Sequence, residues 1–135
     1  MAEAWPRAGM ALHFGIRVVA ADKDRLIGEI DADERHLNAV GVVHGGAYMA
    51  LADELGGQMA ALNLPPGATT TTIESKTNFF RASPPGRLRA ESVPLHVGRR
   101  SIVVQTTIYT QDGKRAALVT QTQLVIPREP NPASE

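Results

Sequence analysis

His44, Gly45 and Gly46 close the stretch Asn38-Ala39-Val40-Gly41-Val42-Val43-His44-Gly45-Gly46, and Asp53 follows eight residues after Gly45. The residues after the glycines are rich in Ala, Leu and Met, which favours helix. The motif therefore sets a helix start at the glycines and a carboxylate about two turns into an apolar helix. A helix start carries unpaired backbone N–H groups and the positive end of the dipole, which suits stabilising an oxyanion. A carboxylate among apolar helical residues is costly unless something uses it. That pairing points to acyl transfer with water as the acceptor.

The elements that must hold these groups are legible in order. Residues 18–21 and 26–30 flank the polar turn Asp22-Lys23-Asp24 and predict a hairpin. A connection over 31–43 leads into the glycines. The helix is predicted from about Gly46 to Leu62 and is stopped by Pro65-Pro66-Gly67. Four β-like runs follow at about 68–80, 87–97, 101–110 and 115–126, separated by Ser83-Pro84-Pro85-Gly86, Gly98-Arg99-Arg100 and Gln111-Asp112-Gly113-Lys114. This order predicts an α+β architecture with one antiparallel sheet. Apolar residues cover nearly the whole circumference of the helix, more than one small sheet should bury, so a second subunit is expected over the rest. Gly56-Gly57 costs about 1 kcal/mol per glycine in mid-helix, which predicts a neighbouring backbone packed closely there.

Composition sets the limits. A chain of 135 residues is one domain that buries roughly two-thirds of its unfolded surface. Lys+Arg and Asp+Glu balance at 14 each, so no global field draws nucleic acid or an anionic membrane. The absence of cysteine excludes a thiol nucleophile, disulfides and Cys-ligated metal. The four histidines are scattered, and no metal is expected. The first residues show no basic stretch followed by an apolar run, and no segment approaches about 18 apolar residues, so a cytoplasmic location is expected.

Asn-x-x-Gly-x-x-His-Gly-Gly, an apolar helix carrying Asp, a Thr-rich strand, Phe79-Phe80-Arg81-Ala82-Ser83-Pro84 and Gly98-Arg99-Arg100-Ser101 follow one another in that order. The pattern resembles the hotdog-fold acyl-CoA thioesterases, and among them the PaaI-type (phenylacetate-pathway) branch. The resemblance implies an antiparallel β-sheet wrapped around one long central α-helix. It sets a hotdog domain over 15–127, between an N-terminal segment 1–14 and a polar tail 128–135. It also implies a homodimer joined sheet edge to sheet edge, commonly paired again into a homotetramer, acting on acyl-CoA without a cofactor.

Residue roles follow from the same resemblance. Gly45 matches the glycine whose N–H polarises the thioester carbonyl, and Asp53 the carboxylate acting as general base or nucleophile. Asn38 matches a residue that orients the carboxylate or water, and His44 one lining the thioester site. Thr72, within Thr69-Thr70-Thr71-Thr72, falls near a hydroxyl that positions the water. Arg99, Arg100 and Ser101 match contacts to coenzyme A phosphates, and Arg81 is grouped with them as a substrate-binding residue. Another branch carries Glu with Thr four residues later; here Gly57 stands at that spacing from Asp53, which favours an Asp-type site with its hydroxyl on the next strand.

Eight helical residues separate Gly45 from Asp53 by about 12 Å along the axis, too far for both to serve one thioester carbon. Two helices related by a two-fold axis could join Gly45 of one chain to Asp53 of the other. Structural readings stand beside these roles. Asp53 could be a paired structural carboxylate, His44 a helix cap, the glycines packing devices and the arginines solvated charges. Glu54 points about 100° away from Asp53 and is expected to be structural. Glu74 and Lys76 are expected on the face of Thr72 by strand alternation, and Tyr48, Phe79 and Phe80 in the core. Three functions compete: a thioesterase on CoA or acyl carrier protein, an acyl-CoA hydratase, and a non-catalytic acyl-CoA binding module. A hydratase would present an Asp…His dyad differently connected to the helix, and a binding module usually lacks the acid.

Overall fold

The computed structural model describes residues 8–129. Most of the expected polar tail, and the first half of the N-terminal segment, lie outside the described residues. A short helix α1 (Gly9–Phe14) leads into the hairpin β1 (Arg17–Ala21) and β2 (Leu26–Ala32), then a 3-10 turn over Glu34–His36. The long helix α2 spans Gly45–Ala61, followed by β3 (Thr69–Phe79), β4 (Gly86–Val97), β5 (Ser101–Tyr109) and β6 (Arg115–Ile126). The helix and six strands stand where the sequence predicts them; α1 and the 3-10 turn are additions.

All neighbouring strands are antiparallel, and the sheet order is β1-β2-β4-β5-β6-β3. The strand after α2 thus lies at one edge of the sheet, with the N-terminal hairpin at the other. The core face follows from two-residue alternation: Leu26, Ile30 and Ala32 on β2, Leu88 and Ala90 on β4, Ile102, Val104 and Ile108 on β5, Ala117 and Val119 on β6. These close on Leu51, Ala52, Leu55, Met59 and Ala60 of α2. Gly28 allows the helix to approach β2, since a Cβ there would sit 2.6 Å from a Leu55 methyl.

The sheet wraps more of the helix than one flat face would. Only a stripe through Gly46, Met49 and Asp53 stays exposed, with Ala50 and Gly57 half-buried beside it. Of the two mid-helix glycines, Gly56 is closely approached, but by a side chain rather than a backbone: its Cβ would meet Gln121 Oε1 at 2.2 Å. Gly57 has nothing within 4 Å because it borders the open stripe. Phe79 and Phe80 are not core residues of the single chain; both are about half exposed at the free edge, at 52% and 51%. Tyr48 is buried as expected. No helix among the described residues is long and apolar enough to cross a membrane.

Candidate active site

The loop before α2 is held by its own backbone and by Asn38. Asn38 Oδ1 accepts from the N–H groups of Val40 at 3.1 Å and Val42 at 3.3 Å, and its N–H donates to Val42 O at 2.9 Å. Gly41 completes the turn at φ +84°, a left-handed conformation that favours glycine. The helix start is then clamped from two sides, by Val43 N–H to Ser83 O at 2.9 Å and His44 N–H to His36 O at 2.7 Å. His36 is buried, receiving the Asp33 N–H on Nδ1 at 3.0 Å with Nε2 2.9 Å from Phe14 O.

His44 is the N-cap. Its Nδ1 accepts from Gly46 N–H at 2.8 Å, so the neutral ring carries its proton on Nε2, at an exposed position. The Gly45 N–H makes no hydrogen bond among the described residues. The Phe79 ring covers Gly45 so closely that a Cβ would lie 3.2 Å from it, and packs against Tyr48 with centroids 6.1 Å apart. Burial pushes the Tyr48 phenol up from its ordinary value, so it is neutral at pH 7.

Asp53 lies on the open stripe and is exposed, not enclosed by apolar side chains as its neighbours in sequence suggest. Its Oδ1 accepts from Thr72 Oγ1 at 3.0 Å and, more weakly, from Gln121 Nε2 at 3.4 Å. Thr72 Oγ1 in turn accepts from Gln123 Nε2 at 2.6 Å, and Gln123 Oε1 accepts from Thr70 Oγ1 at 3.0 Å. Thr72 is thus the threonine of the run that meets the carboxylate. Ile73 is bulged out between Thr72, opposite Gln123, and Glu74, opposite Thr122. The bulge shifts the alternation by one residue, so Glu74 and Lys76 lie on the opposite face from Thr72, contrary to expectation. Glu54 accepts from Gln58 Nε2 one turn on, at 2.9 Å, the structural role its direction implied.

The other predicted residues are not gathered around Asp53 within one chain. Asn38 stands in the loop before α2 and His44 and Gly45 at its start, with the Phe79 ring against Gly45. Arg99 and Arg100 form the exposed β4–β5 turn beside Ser101, with Arg100 O accepting from Val125 N–H at 2.9 Å. Arg81 follows the far end of β3 and lines an open groove of about 630 Å³ with Ser83, Pro84, Thr110, Asp112 and Lys114. The pairing Thr69↔Ile126 at one end of β3 and Phe79↔Ala117 at the other puts Arg100 and Arg81 roughly 30 Å apart along the strand.

Gln121 and Gln123 were missed by the sequence reading. Both are 1% exposed in the core register of β6, between Val119 and Val125. Two amides in the apolar phase of a strand were the available signal, since buried polar groups need partners.

A long helix wrapped by one antiparallel sheet, with an N–H at its start unbonded among the described residues and a hydroxyl-bonded carboxylate on its open stripe, defines a hotdog fold. The thioesterase superfamily pattern matches residues 40–117, more than half of the chain, and the protein belongs to that family. The proofreading thioesterase EntH of Cronobacter turicensis is 33% identical over 103 residues, covering 76% of this chain and 75% of that protein. A Haemophilus influenzae thioesterase structure superposes with a TM-score of 0.85 at 29% identity, covering 90% of this chain and 85% of that one. A phenylacetic acid degradation-related protein from Ralstonia eutropha superposes with a TM-score of 0.82 at 29% identity, covering 89% and 92%. The protein is a thioester hydrolase of the hotdog fold.

Proposed function

We propose that the protein hydrolyses acyl-CoA thioesters to free carboxylic acid and CoA at two sites shared across a homodimer. The observation that carries this reading is Asp53 itself. Both protein donors to the carboxylate fall on Oδ1, and Oδ2 has none among the described residues, on a stripe of helix that the chain's own sheet leaves open.

In this reading the Gly45 N–H of one chain polarises the thioester carbonyl, and Asp53 of the other acts on the carbon. As general base, Asp53 takes a proton from water as the water oxygen bonds to the carbonyl carbon. The tetrahedral oxyanion is held at Gly45 and then collapses. The C–S bond breaks, and the proton held by Asp53 passes to the leaving thiolate. As nucleophile, Asp53 would displace the thiolate to form a mixed anhydride, which water then opens. His44, capping the helix through Nδ1, keeps Nε2–H free for the thioester. Asn38 keeps its amide NH2 available while its oxygen organises the loop. Arg99, Arg100 and Ser101 on one chain, and Arg81 beside its groove, are read as contacts for the CoA phosphates.

The shared site is supported by what the single chain leaves uncovered. β3 is an eleven-residue edge strand whose outer side is unpaired among the described residues; it exposes Ile73 and Phe79, Phe80 follows it exposed, and Met49 is exposed on the open stripe of α2. An unpaired edge of this length is a template for another strand, and a two-fold pairing of β3 with its copy would supply it. Dimers could pair again into a tetramer.

The test is thiol release from aromatic, short-, medium- and long-chain acyl-CoA thioesters, comparing wild type with Asp53→Asn. Hydrolysis by wild type and a loss of at least about 100-fold in turnover for Asp53→Asn are expected. A variant that keeps its turnover removes Asp53 from the mechanism. A wild type that cleaves acyl carrier protein thioesters but no CoA thioester would change the carrier.

A further inference from the structure

We propose that Gln123 is a positioning residue that sets the direction of the Thr72 hydroxyl and, through it, the orientation of the Asp53 carboxylate. The inference rests on the reading of Asp53 given above. An amide NH2 has no lone pair to offer, so the 2.6 Å contact from Gln123 Nε2 to Thr72 Oγ1 is a donation to the hydroxyl. Thr72 has one proton of its own, and Asp53 Oδ1 at 3.0 Å takes it. The chain therefore has a fixed polarity, running from Gln123 through Thr72 to Asp53.

The orientation of the amide is set at the Thr72 end, because Thr70 Oγ1 has one proton and lies 3.0 Å from both Gln123 Oε1 and Leu124 O. With the amide reversed, its oxygen would face Thr72 and compete with Asp53 for the single hydroxyl proton. Gln123 is 1% exposed, so water does not compete for its amide. Thr72 and Gln121 both reach Oδ1, which pins that oxygen toward the sheet and turns Oδ2 outward to the open stripe, where a base or nucleophile has to act. Gln123 touches neither a thioester nor the attacking water; its effect runs through Thr72.

The test uses the intact chain and the thioester of the panel that wild type hydrolyses fastest. Gln123→Met keeps the side-chain volume and removes the donor; Thr72→Val keeps the shape and removes the hydroxyl. Each is expected to lower kcat about tenfold, the size of losing one oriented hydrogen bond to a charge, with KM within about twofold. The double variant is expected to lose no more than Thr72→Val alone, because both changes cut the same chain. A folded Gln123→Met with wild-type kcat overturns the proposal, as does a full further tenfold loss on adding it to Thr72→Val. Should Gln123→Met not fold, Thr72→Ser against Thr72→Val decides: wild-type-like kcat in both shows that the hydroxyl at the end of the chain is idle and overturns it. Asp53→Asn run alongside separates the two readings. If it keeps its turnover, the role of Asp53 fails; if it is inactive while Gln123→Met is unaffected, only the positioning role fails.

Discussion

Replacing Gly56 by alanine tests the packing behind the carboxylate. In an ordinary helix interior the change stabilises by about 1 kcal/mol, because alanine is the better helix former. Here the new methyl would lie 2.2 Å from Gln121 Oε1, 2.3 Å from Cδ and 2.7 Å from Nε2. The amide is the flexible end of a side chain, but at 1% exposure it has no solvent to swing into. Overpacking at such a site costs about 2 kcal/mol. The net expectation is a loss of about 1 kcal/mol, or a fall in Tm of about 3–5 °C for a chain of this size. Shortening the neighbour removes the collision, so in a Gln121→Ala background the same Gly56→Ala change should stabilise by about 1 kcal/mol. Thermal unfolding of the four proteins in this cycle measures the reversal of sign, a swing of about 2 kcal/mol. If Gly56→Ala raises Tm equally in both backgrounds, Gln121 is not confined against the helix, and the account of its approach to Asp53 is wrong.

Two further predictions address the edge strand and the acid limb of stability. Ile73→Lys places a charge on the exposed bulge of β3 and is expected to shift the protein to monomer in analytical ultracentrifugation with loss of thioesterase turnover; a fully active monomer would refute the shared site. The hydrogen bonds from Arg35 hold the Asp33 carboxyl at about 2, below the usual carboxylate value of about 4. A depressed folded-state pKa contributes stability above the unfolded value that is lost as pH falls toward 2. Between pH 4 and pH 2 the Tm of wild type should therefore fall more steeply than that of Asp33→Asn, and parallel curves would show that this ion pair contributes nothing.

Those elements whose pattern is local were legible in the sequence. The alternation of Ile102, Val104 and Ile108 and the turn signals around it sufficed to place β5, and Pro65-Pro66-Gly67 sufficed to end α2. The meeting of Asp53 with Thr72 was also within reach, because a helix followed by a threonine-rich strand has few ways to pack. What escaped depends on contacts made elsewhere. Residue 73 bulges because β6 pairs with β3 on both sides of it, and nothing in Thr71-Thr72-Ile73-Glu74 announces that. The apolar helix neighbours of Asp53 suggest an enclosed carboxylate, but the strand order puts β3 at the edge, and an edge strand cannot cover the last stripe of the helix. The roles of Gln121 and Gly56 are visible only when one is seen pressed on the other.

Those two amides also show what the core was arranged to support. Among the described residues the sheet's core face carries four buried polar side chains, Ser92, Thr106, Gln121 and Gln123. Ser92 and Thr106 satisfy each other at 2.6 Å and point at nothing further. Gln123 bonds to Thr70 and Thr72, and the bond Gln121 makes among the described residues goes to Asp53. Gln121 Oε1 is left buried without a donor among the described residues, which costs about 1–3 kcal/mol. A valine or leucine at either position would continue the apolar phase of β6, and at 121 it would avoid that cost. A leucine at 121 could not follow the helix surface at Gly56 and also donate to Oδ1, and a valine at 123 would release the Thr72 proton from its single direction. The cost therefore falls beside the carboxylate on the open stripe, and in the proposed mechanism a stiff, oriented Oδ2 is worth more to the chemistry than an additional apolar contact is to the fold.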